Sequence, residues 1–407
     1  MRICIISINY EPEESGIAPY TTGMAVGLAA RGHDVEVLTG LPNYPEWRVD
    51  PAYRGLSGTA KAIDGVVVRR FSHYVPANPT TRSRVVFEST FGARVASARW
   101  DKPELVLTVS PSLIASAMVI TRSRLANIPV GLIVQDLYGK GVVETGAMSA
   151  TMAGPAVRFE AAVLNGATGT SVIHDRFADA AAKMGVDPKR LTVIRNWAHI
   201  DSPAAVDRAE VRMKHGWQPQ ERIVLHTGNM GAKQGLENVV AAARLADEQG
   251  VDIRFVLLGD GNQRRLLREA AEGVQRIEFK DPLDAEDYSQ VLACADVLLV
   301  NERPSVGEMS VPSKLTSYFS AGRPVLAATD ANGVTAREIR DSGAGVVVPP
   351  GDPSALLDAA VNLADDGEAG NRLGAAGQQY AHRLLSPERA LDEYEDWCYR
   401  LAGKHAS

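Results

Sequence analysis

The chain has 407 residues, 45% hydrophobic and 23% charged, a composition typical of a globular protein with room for two domains of roughly 200 residues each. Its formal net charge of −6 argues against a nucleic-acid-binding protein, which usually has a basic surface. The three cysteines, Cys4, Cys294 and Cys398, are scattered, and no run of 18 apolar residues predicts a membrane span. We therefore expect a cytoplasmic protein.

Short apolar runs alternate with amphipathic stretches along the whole chain. The runs predict strands near 2–9, 34–39, 66–71, 104–108, 129–134, 169–173, 191–194, 222–227, 253–258, 276–279, 296–300, 323–327 and 345–348. Continuous apolar strands separated by helices are typical of parallel sheets covered on both faces. The prediction is an α/β protein with two doubly wound, Rossmann-like domains facing each other across a cleft.

The strand pattern restarts after residues 196–203, which predicts a hinge there. We expect an N-terminal domain over residues 1–200 and a C-terminal domain over residues 201–385. The last amphipathic stretch lies within residues 386–407 and is expected to be a helix that crosses back to the N-terminal domain.

A glycine-rich loop lies in the middle of the chain. A strand runs into Gly228, Gly231 and Gly235, Lys233 lies inside the loop, and a helical pattern opens at Leu236. Glycines allow backbone N–H groups to approach a ligand, and a helix N-terminus and a lysine add positive potential. The loop lacks the spacing of a Walker A loop or a dinucleotide fingerprint. It predicts a site for another kind of phosphorylated ligand.

Two loops of the first half also follow strands. Gly16 lies after the first strand, where it allows a ligand to approach the backbone closely, or forms only the turn that begins a helix. Asp136 ends the strand near 129–134 and is a candidate to bind a hydroxyl or stabilise charge, or to cap the following turn.

Three loops of the second half complete the set. Gly259 begins a loop that either contacts the ligand or starts a helix with solvated arginines. The backbone of residues 279–283 is a candidate to hydrogen-bond a nucleobase. Residues 301–315 include Ser310, a candidate backbone donor, and Lys314, a cation near the start of a helix, or form only a structural loop that leads into that helix.

The sequence predicts no metal site. His33–Asp34 and His174–Asp175 lack further ligands at zinc spacing, so they are more typical of turns and helix caps. The chain contains no Asp-x-Asp pair to hold a divalent ion on a diphosphate, and no nucleophile elbow.

Taken together, these motifs resemble those of the retaining GT-B glycosyltransferases of family 4, and most of all the branch of colanic-acid and O-antigen transferases such as L-fucosamine transferases. The resemblance covers essentially the whole chain. It is carried by residues 8–20, 32–37, 194–196, 228–235, 311–315 and 321–325.

The resemblance implies roles for individual residues. Lys233 would hold the diphosphate of a nucleotide-sugar donor, and Asn229 stands where relatives carry arginine. Gly16 would line the diphosphate from the other domain, and residues 281–283, with Pro282 and Leu283, would meet the base. By this resemblance the N-terminal domain is the acceptor side and the C-terminal domain binds the nucleotide sugar.

The chain departs from the family pattern at two places. The E-x7-E pair of the family, whose second glutamate usually binds the ribose, corresponds to Met309 and Ser317, with Glu308 one residue out of register. The active-site histidine of the N-terminal domain corresponds to Gln135, with Asp136 beside it.

We therefore expect a retaining, metal-independent transferase that moves a sugar from a nucleotide diphosphate sugar, with UDP as the favoured carrier, to a hydroxyl acceptor. No cofactor is expected, because the donor is a co-substrate. The expected catalytic residues are Lys233, Asp136 and Glu308. The expected donor-binding residues are Gly16, Gly228, Asn229, Lys233, Gly259, Pro282, Leu283, Glu308, Met309, Ser310 and Lys314.

Two other functions stay open at this point. A hydrolysing UDP-sugar 2-epimerase shares the fold, although its acidic catalytic set is not evident, and the departures from E-x7-E also suit a non-catalytic partner. The acceptor is expected in polysaccharide, glycolipid or glycoconjugate biosynthesis, as a lipid-linked sugar or a small glycoside. Residues 79–100 mix apolar residues with arginines, which predicts either a contact with the inner face of the membrane or an ordinary amphipathic helix.

Overall fold

The computed structural model describes residues 1–14, 16–137, 150–198, 206–304 and 313–404. The chain forms two compact units, which we call the N-terminal unit (Met1–Asn196 with Pro387–Ser407) and the C-terminal unit (Trp197–Ser386). Each unit contains one largely parallel sheet with helices, so the predicted α/β class with two parallel-sheet domains is confirmed. Every predicted strand is present, with ends that differ by no more than two residues.

The N-terminal unit has an eight-stranded sheet in the order β3-β4-β2-β1-β5-β6-β7-β8. Its strands are β1 Arg2–Ser7, β2 Asp34–Gly40, β3 Ala60–Ile63, β4 Val66–Phe71, β5 Leu105–Ser110, β6 Val130–Val134, β7 Gly169–Val172 and β8 Leu191–Val193. Among the described residues, the helices that precede residue 196 are α1 Ala18–Ala30, α2 Thr81–Ser97, α3 Leu113–Leu125, α4 Ala150–Gly166 and α5 Asp175–Lys183. The central strands are continuous apolar runs because both of their faces are covered.

The sequence prediction missed β3. It pairs antiparallel with β4 across a tight turn at Asp64 and Gly65, which both have positive φ. The β3 side chains are mostly exposed, so the strand has no apolar run to reveal it. An Asp-Gly pair between two short strands is nevertheless a strong hairpin signal, and it stands in the sequence.

The C-terminal unit has a six-stranded parallel sheet in the order β11-β10-β9-β12-β13-β14. Its strands are β9 Ile223–Thr227, β10 Arg254–Leu258, β11 Ile277–Lys280, β12 Val297–Asn301, β13 Val325–Ala328 and β14 Gly345–Val348. Its helices are α6 Arg208–Lys214, α7 Glu237–Gln249, α8 Arg264–Ala270, α9 Ala285–Cys294, α10 Lys314–Ser320, α11 Val334–Ser342, α12 Pro353–Asp365 and α13 Gly367–Leu384. Across the described ranges of the chain, no helix is both long and apolar enough to cross a bilayer.

The last helix, α14 (Pro387–Leu401), packs on the sheet of the N-terminal unit. A side chain at Gly131 of β6 would come within 2.7 Å of the Trp397 ring, so the absence of a Cβ lets the buried indole lie against the strand. An ion pair joins Arg31 to Asp392 (2.6 Å), and His33 Nε2 lies at a hydrogen-bonding distance of 2.8 Å from Glu395 Oε1. The end of the chain is thereby held on the unit with which the chain begins.

Candidate functional site

The glycine and lysine loop lies at the switch point of the C-terminal sheet. Strand order reverses between β9 and β12, and the loop from Gly228 to Gly235 leaves β9 at its carboxyl end. Ligands of doubly wound sheets bind in the crevice at such a point. Lys233 sits in a single 3-10 turn, Ala232–Gln234, and its side chain is exposed.

The N–H groups of this loop differ from the prediction. Three of them donate within the unit: Gly228 to Leu258 O at 2.8 Å, Met230 to Asp260 O at 2.8 Å, and Gly231 to the Gln234 side chain at 3.1 Å. These three N–H groups are therefore engaged within the unit.

The carbonyl groups of the loop are held by the end of β12. Asn301 Nδ2 donates to the carbonyl oxygens of Gln234 (2.7 Å) and Gly235 (2.9 Å), and the Arg303 N–H donates to the carbonyl of Lys233 (2.8 Å). Asn301 is almost fully buried, so these bonds are shielded from water. Three successive carbonyls are thus fixed, which holds the backbone that carries the Lys233 ammonium.

A second lysine reaches the same loop from α10. Lys314 is the first residue of that helix, and its Nζ lies 3.1 Å from His226 Nε2. His226 Nδ1 lies 3.2 Å from the Leu299 carbonyl, which can only accept, so Nδ1 carries the proton and Nε2 accepts from the ammonium. A Cβ at Gly228 would be 4.0 Å from Lys314 Cε, so the lysine side chain runs beside the loop.

Burial governs the charge of this pair. It lowers the pKa of His226 well below its ordinary value, and the neighbouring lysine acts in the same direction, so the imidazole is neutral. Burial also lowers the pKa of Lys314 to about 7, against an opposing effect of Glu302. His226 was not singled out from the sequence, although it is the one ionisable residue of the buried strand β9, Ile223–Thr227.

Glu302 is the acidic member of the site. Its carboxylate accepts from Thr335 Oγ1 at 2.7 Å and from Thr329 Oγ1. Burial raises the pKa of Glu302, whereas the two threonines and the charges of Lys314 and Lys233 lower it. The carboxylate is therefore within electrostatic range of both lysines, and with Lys314 protonated the three groups leave a net positive charge for an anion.

Close backbone packing joins the β10 loop to the lysine loop. Gly259 has φ +137°, and a Cβ there would lie 2.1 Å from the Gly228 carbonyl oxygen. Of the residues expected at the base, Pro282 is exposed and Leu283 is half-buried against the core. Pro282 has no N–H, so a backbone donor of this segment would come from one of its other residues, and their contact with the base stays a prediction. Asn229 is exposed at the start of the loop.

The N-terminal unit places its predicted residues at the carboxyl edge of its own sheet. Gly16 has φ +67° in the loop after β1, and a Cβ there would lie 3.5 Å from the Tyr44 ring. Gln135 is buried after β6, where its Oε1 accepts from Asn196 Nδ2 at 2.7 Å. Asp136 is exposed. The residue at the position of the family histidine is thus engaged within the unit, and the neighbouring carboxylate reaches solvent.

Three of the predicted site residues lie outside the described residues: Glu308, Met309 and Ser310. Their expected roles stay predictions. Ser317, which replaces the ribose-binding glutamate of the family pattern, is buried in α10 with 4% of its surface exposed.

The apolar residues expected to face a membrane within 79–100 are largely core residues. The exposed members of the set are Val85 (48%) and Val86 (45%). The buried members are Phe87, Phe91, Val95 and Trp100. These four side chains are therefore not available to a membrane: Phe87, Phe91 and Val95 pack on the unit from α2, and Trp100 is buried just after the helix.

Comparisons with known proteins agree with this architecture. Residues 15–197 match the family model described as Glycosyl transferase 4-like domain, and residues 221–366 match the model described as Glycosyl transferases group 1. WcaI of Escherichia coli K12, named as a colanic acid biosynthesis glycosyl transferase, is 32% identical over 340 residues, which cover 79% of this chain and 82% of WcaI.

Solved structures show the same fold. Sucrose-phosphate synthase of Thermosynechococcus elongatus has a TM-score of 0.72 at 19% identity and covers 99% of both chains. HepE of Anabaena, solved in complex with UDP, has a TM-score of 0.72 at 15% identity, over 98% of this chain and 99% of HepE. The predicted family and enzyme class are confirmed: this chain is a glycosyltransferase of family 4 with the GT-B fold.

Proposed function

We propose that this glycosyltransferase moves a sugar from a UDP-sugar to a hydroxyl acceptor, with retention and without a metal, in polysaccharide or glycoconjugate biosynthesis. The observation that carries the proposal is the pair of lysines, Lys233 and Lys314, at the switch point of the C-terminal sheet. Two further findings support it: HepE was solved with UDP, and WcaI is named for colanic acid biosynthesis. Family membership favours transfer over the epimerase and over a non-catalytic partner.

The reaction breaks the bond between the sugar C1 and the diphosphate oxygen and forms a bond between C1 and the acceptor oxygen. Negative charge develops on the departing diphosphate while positive charge develops on the sugar. Fixed cations lower this barrier because they stabilise charge that is larger in the transition state than in the ground state. In a front-face reaction the departing phosphate accepts the proton of the acceptor hydroxyl, so no separate base is required.

The residues have distinct roles in this proposal. Lys233 and Lys314 neutralise the departing diphosphate, and no divalent ion is needed because two cations already face it. His226 keeps Lys314 in position by accepting its hydrogen bond. Asp136, exposed at the edge of the N-terminal sheet, stabilises charge on the sugar, and Glu308 substitutes for the first glutamate of the family pair.

Single lysine variants test the proposal. A thermal-shift screen of UDP-, GDP- and dTDP-sugars first identifies the donor, and turnover is then measured with EDTA present. Lys233→Ala and Lys314→Ala should each lower kcat by roughly 100- to 1,000-fold, because loss of one such group costs about 3–4 kcal/mol. Lys214→Ala, at an exposed lysine of the same unit paired with Asp287, is the matched control and should keep full activity.

Three outcomes would refute parts of the proposal. Activity that EDTA abolishes would refute the metal-free route, and inversion of the anomeric configuration, read by proton NMR of the product, would refute retention. The choice of donor would be refuted if the UDP-sugars of the screen neither raise the Tm of the protein nor act as substrates.

We also propose a peripheral membrane contact that brings a lipid-linked acceptor to the enzyme. Support comes from the exposed N-terminal half of α2, where Val85 and Val86 accompany Arg82 and Arg84. Arginines near an anionic surface each contribute about 1 kcal/mol. In a flotation assay with liposomes that contain phosphatidylglycerol, the wild type should float with the liposomes and the Arg82→Glu, Arg84→Glu double variant should not. Equal flotation of the two proteins would refute the proposed membrane contact.

A further inference from the structure

An aromatic loop follows β2 at the carboxyl edge of the N-terminal sheet. Residues 44–48 read Tyr-Pro-Glu-Trp-Arg. Tyr44 is 37% exposed, Glu46 and Arg48 are exposed, and Trp47 is half-buried. Two aromatic rings, a carboxylate and a guanidinium therefore reach solvent within five residues, and none of them has a role in the donor site of the C-terminal unit.

The loop is held by a buried carboxylate. Glu13 is 8% exposed, and it accepts hydrogen bonds from the N–H groups of Asn43 (2.7 Å) and Tyr44 (2.8 Å) and from Asn9 Nδ2 (2.7 Å). Burial raises the pKa of Glu13, while these donors oppose the rise because they stabilise the ionised form. The carboxylate fastens the aromatic loop to the loop that follows β1, which carries Gly16.

The Tyr44 and Trp47 rings are held by neighbouring side chains. Trp47 contacts the buried Phe87 ring at a centroid distance of 5.4 Å, and Tyr44 meets Trp47 edge-on at 6.1 Å. The Arg84 guanidinium lies 5.3 Å from the Trp47 ring. Trp47 also has φ +52°, a left-handed conformation that is unfavourable for a bulky residue and persists where surrounding contacts hold it. The rings are fixed in place before any ligand arrives.

This combination matches the chemistry of a sugar ring. A hexopyranose presents apolar C–H groups on its faces, which stack on aromatic rings, and hydroxyls around its rim, which bond to carboxylate and guanidinium groups. Rigid aromatic side chains also lose little conformational entropy on binding.

We propose that Tyr44, Glu46, Trp47 and Arg48 form the subsite that binds the sugar ring of the acceptor. The proposal rests on the transferase function proposed above and names the ligand class of its second substrate as a hexopyranoside. Gly16 lies on the neighbouring loop, where a Cβ would be 3.5 Å from the Tyr44 ring, so the acceptor ring would lie beside that loop within the N-terminal unit.

Binding of simple glycosides tests the subsite apart from donor binding. Saturation-transfer NMR and calorimetry are run with methyl β-D-glucopyranoside, methyl β-D-galactopyranoside and methyl α-D-mannopyranoside as the probes, and calorimetry with UDP is run in parallel. Trp47→Ala and Tyr44→Ala should each weaken the best glycoside at least tenfold, with UDP affinity within twofold of the wild type. Trp47→Phe should restore most of the affinity, because it keeps a ring at this position.

The control is Phe159→Ala, which removes an aromatic side chain of α4 that is 43% exposed and distant in the sequence, and which should leave glycoside binding unchanged. Wild-type protein that binds none of the probes saturably, or a Trp47→Ala variant with unchanged glycoside affinity, overturns the subsite. Equal losses of glycoside and UDP affinity also overturn it, since they indicate general damage. Glycoside binding that depends on Trp47 in a protein that ignores UDP upholds the subsite and refutes the proposed donor.

Discussion

Lys314 should make the affinity for UDP fall as the pH rises above 7. Burial lowers the pKa of Lys314 to about 7 in the free protein, so about half of the molecules carry the charge at that pH. A bound diphosphate favours the charged form and raises the pKa of Lys314 again. Binding of UDP therefore takes up a proton. As the pH rises, a smaller fraction of the protein has Lys314 protonated, and the affinity for UDP falls.

The size of the effect follows from the fraction of charged lysine. If the uncharged form binds weakly, apparent affinity is reduced by about 2-fold at pH 7, about 11-fold at pH 8 and about 100-fold at pH 9. Between pH 7 and pH 9 the loss is about 50-fold, or about 2.3 kcal/mol. The expected proton uptake is about 0.5 at pH 7 and about 0.9 at pH 8. The terminal phosphate of UDP, with a pKa near 6, stays ionised over this range and adds little slope.

Calorimetry in two buffers of different ionisation enthalpy measures both the affinity and the proton uptake. Lys314→Arg fixes the charge, so its affinity should be independent of pH. Lys233→Met should bind UDP more weakly at every pH and keep the wild-type slope. A wild-type affinity that is flat from pH 7 to pH 9, or a Lys314→Arg variant with the same slope as the wild type, would refute the role of the Lys314 charge in binding.

Three further substitutions test how the loops are held. Gly259→Ala places a Cβ 2.1 Å from the Gly228 carbonyl and should cost about 3 kcal/mol or more in urea unfolding, whereas Gly250→Ala, with open space around it, should cost about 1 kcal/mol. Equal costs would contradict the packing of the two loops. Asn301→Asp removes the hydrogen bonds that Asn301 Nδ2 donates to the Gln234 and Gly235 carbonyls, and should lower the free energy of unfolding by about 2–5 kcal/mol. The same variant should bind UDP more weakly in calorimetry. An unchanged UDP affinity would show that these two bonds do not contribute to the site. Glu13→Gln removes one acceptor and should weaken glycoside binding severalfold in saturation-transfer NMR, while UDP binding persists. Loss of both glycoside and UDP binding would contradict this prediction.

Much of the fold could be predicted because strands that are buried on both faces consist of uninterrupted apolar residues, which are visible in the sequence. Val224 and Leu225 of β9 are fully buried, and such runs leave few other arrangements. β3 was missed because its side chains face solvent and carry no such run. His174 illustrates a residue interpreted correctly by elimination: it caps α5 by accepting from the Arg176 N–H at 3.0 Å, as expected of a His-Asp pair without further ligands.

The candidate site was only partly predictable. Lys233 and Lys314 stand in loops whose place after strands is visible in the sequence, and the structure puts both beside Gly228 or on its loop. His226 and Glu302 escaped notice because their importance comes from contacts between elements far apart in the chain. Hydrogen-bond partners of the glycine loop were equally invisible, since nothing in a glycine motif says whether its N–H groups face a ligand or the neighbouring strand.

The two lysines contribute differently because their environments differ. Lys233 is exposed on a loop whose carbonyls are fixed, so its charge can attract a diphosphate at little cost to folding. Lys314 is half-buried against a neutral imidazole, where a permanent charge would oppose folding, because its lowered pKa means that burial disfavours the protonated form. In the free enzyme at neutral pH this lysine is only partly charged, and an arriving diphosphate completes its protonation and so obtains the cation at the step that needs it. His226 makes this possible, since an imidazole that is itself neutral accepts a hydrogen bond from the ammonium without adding a second positive charge.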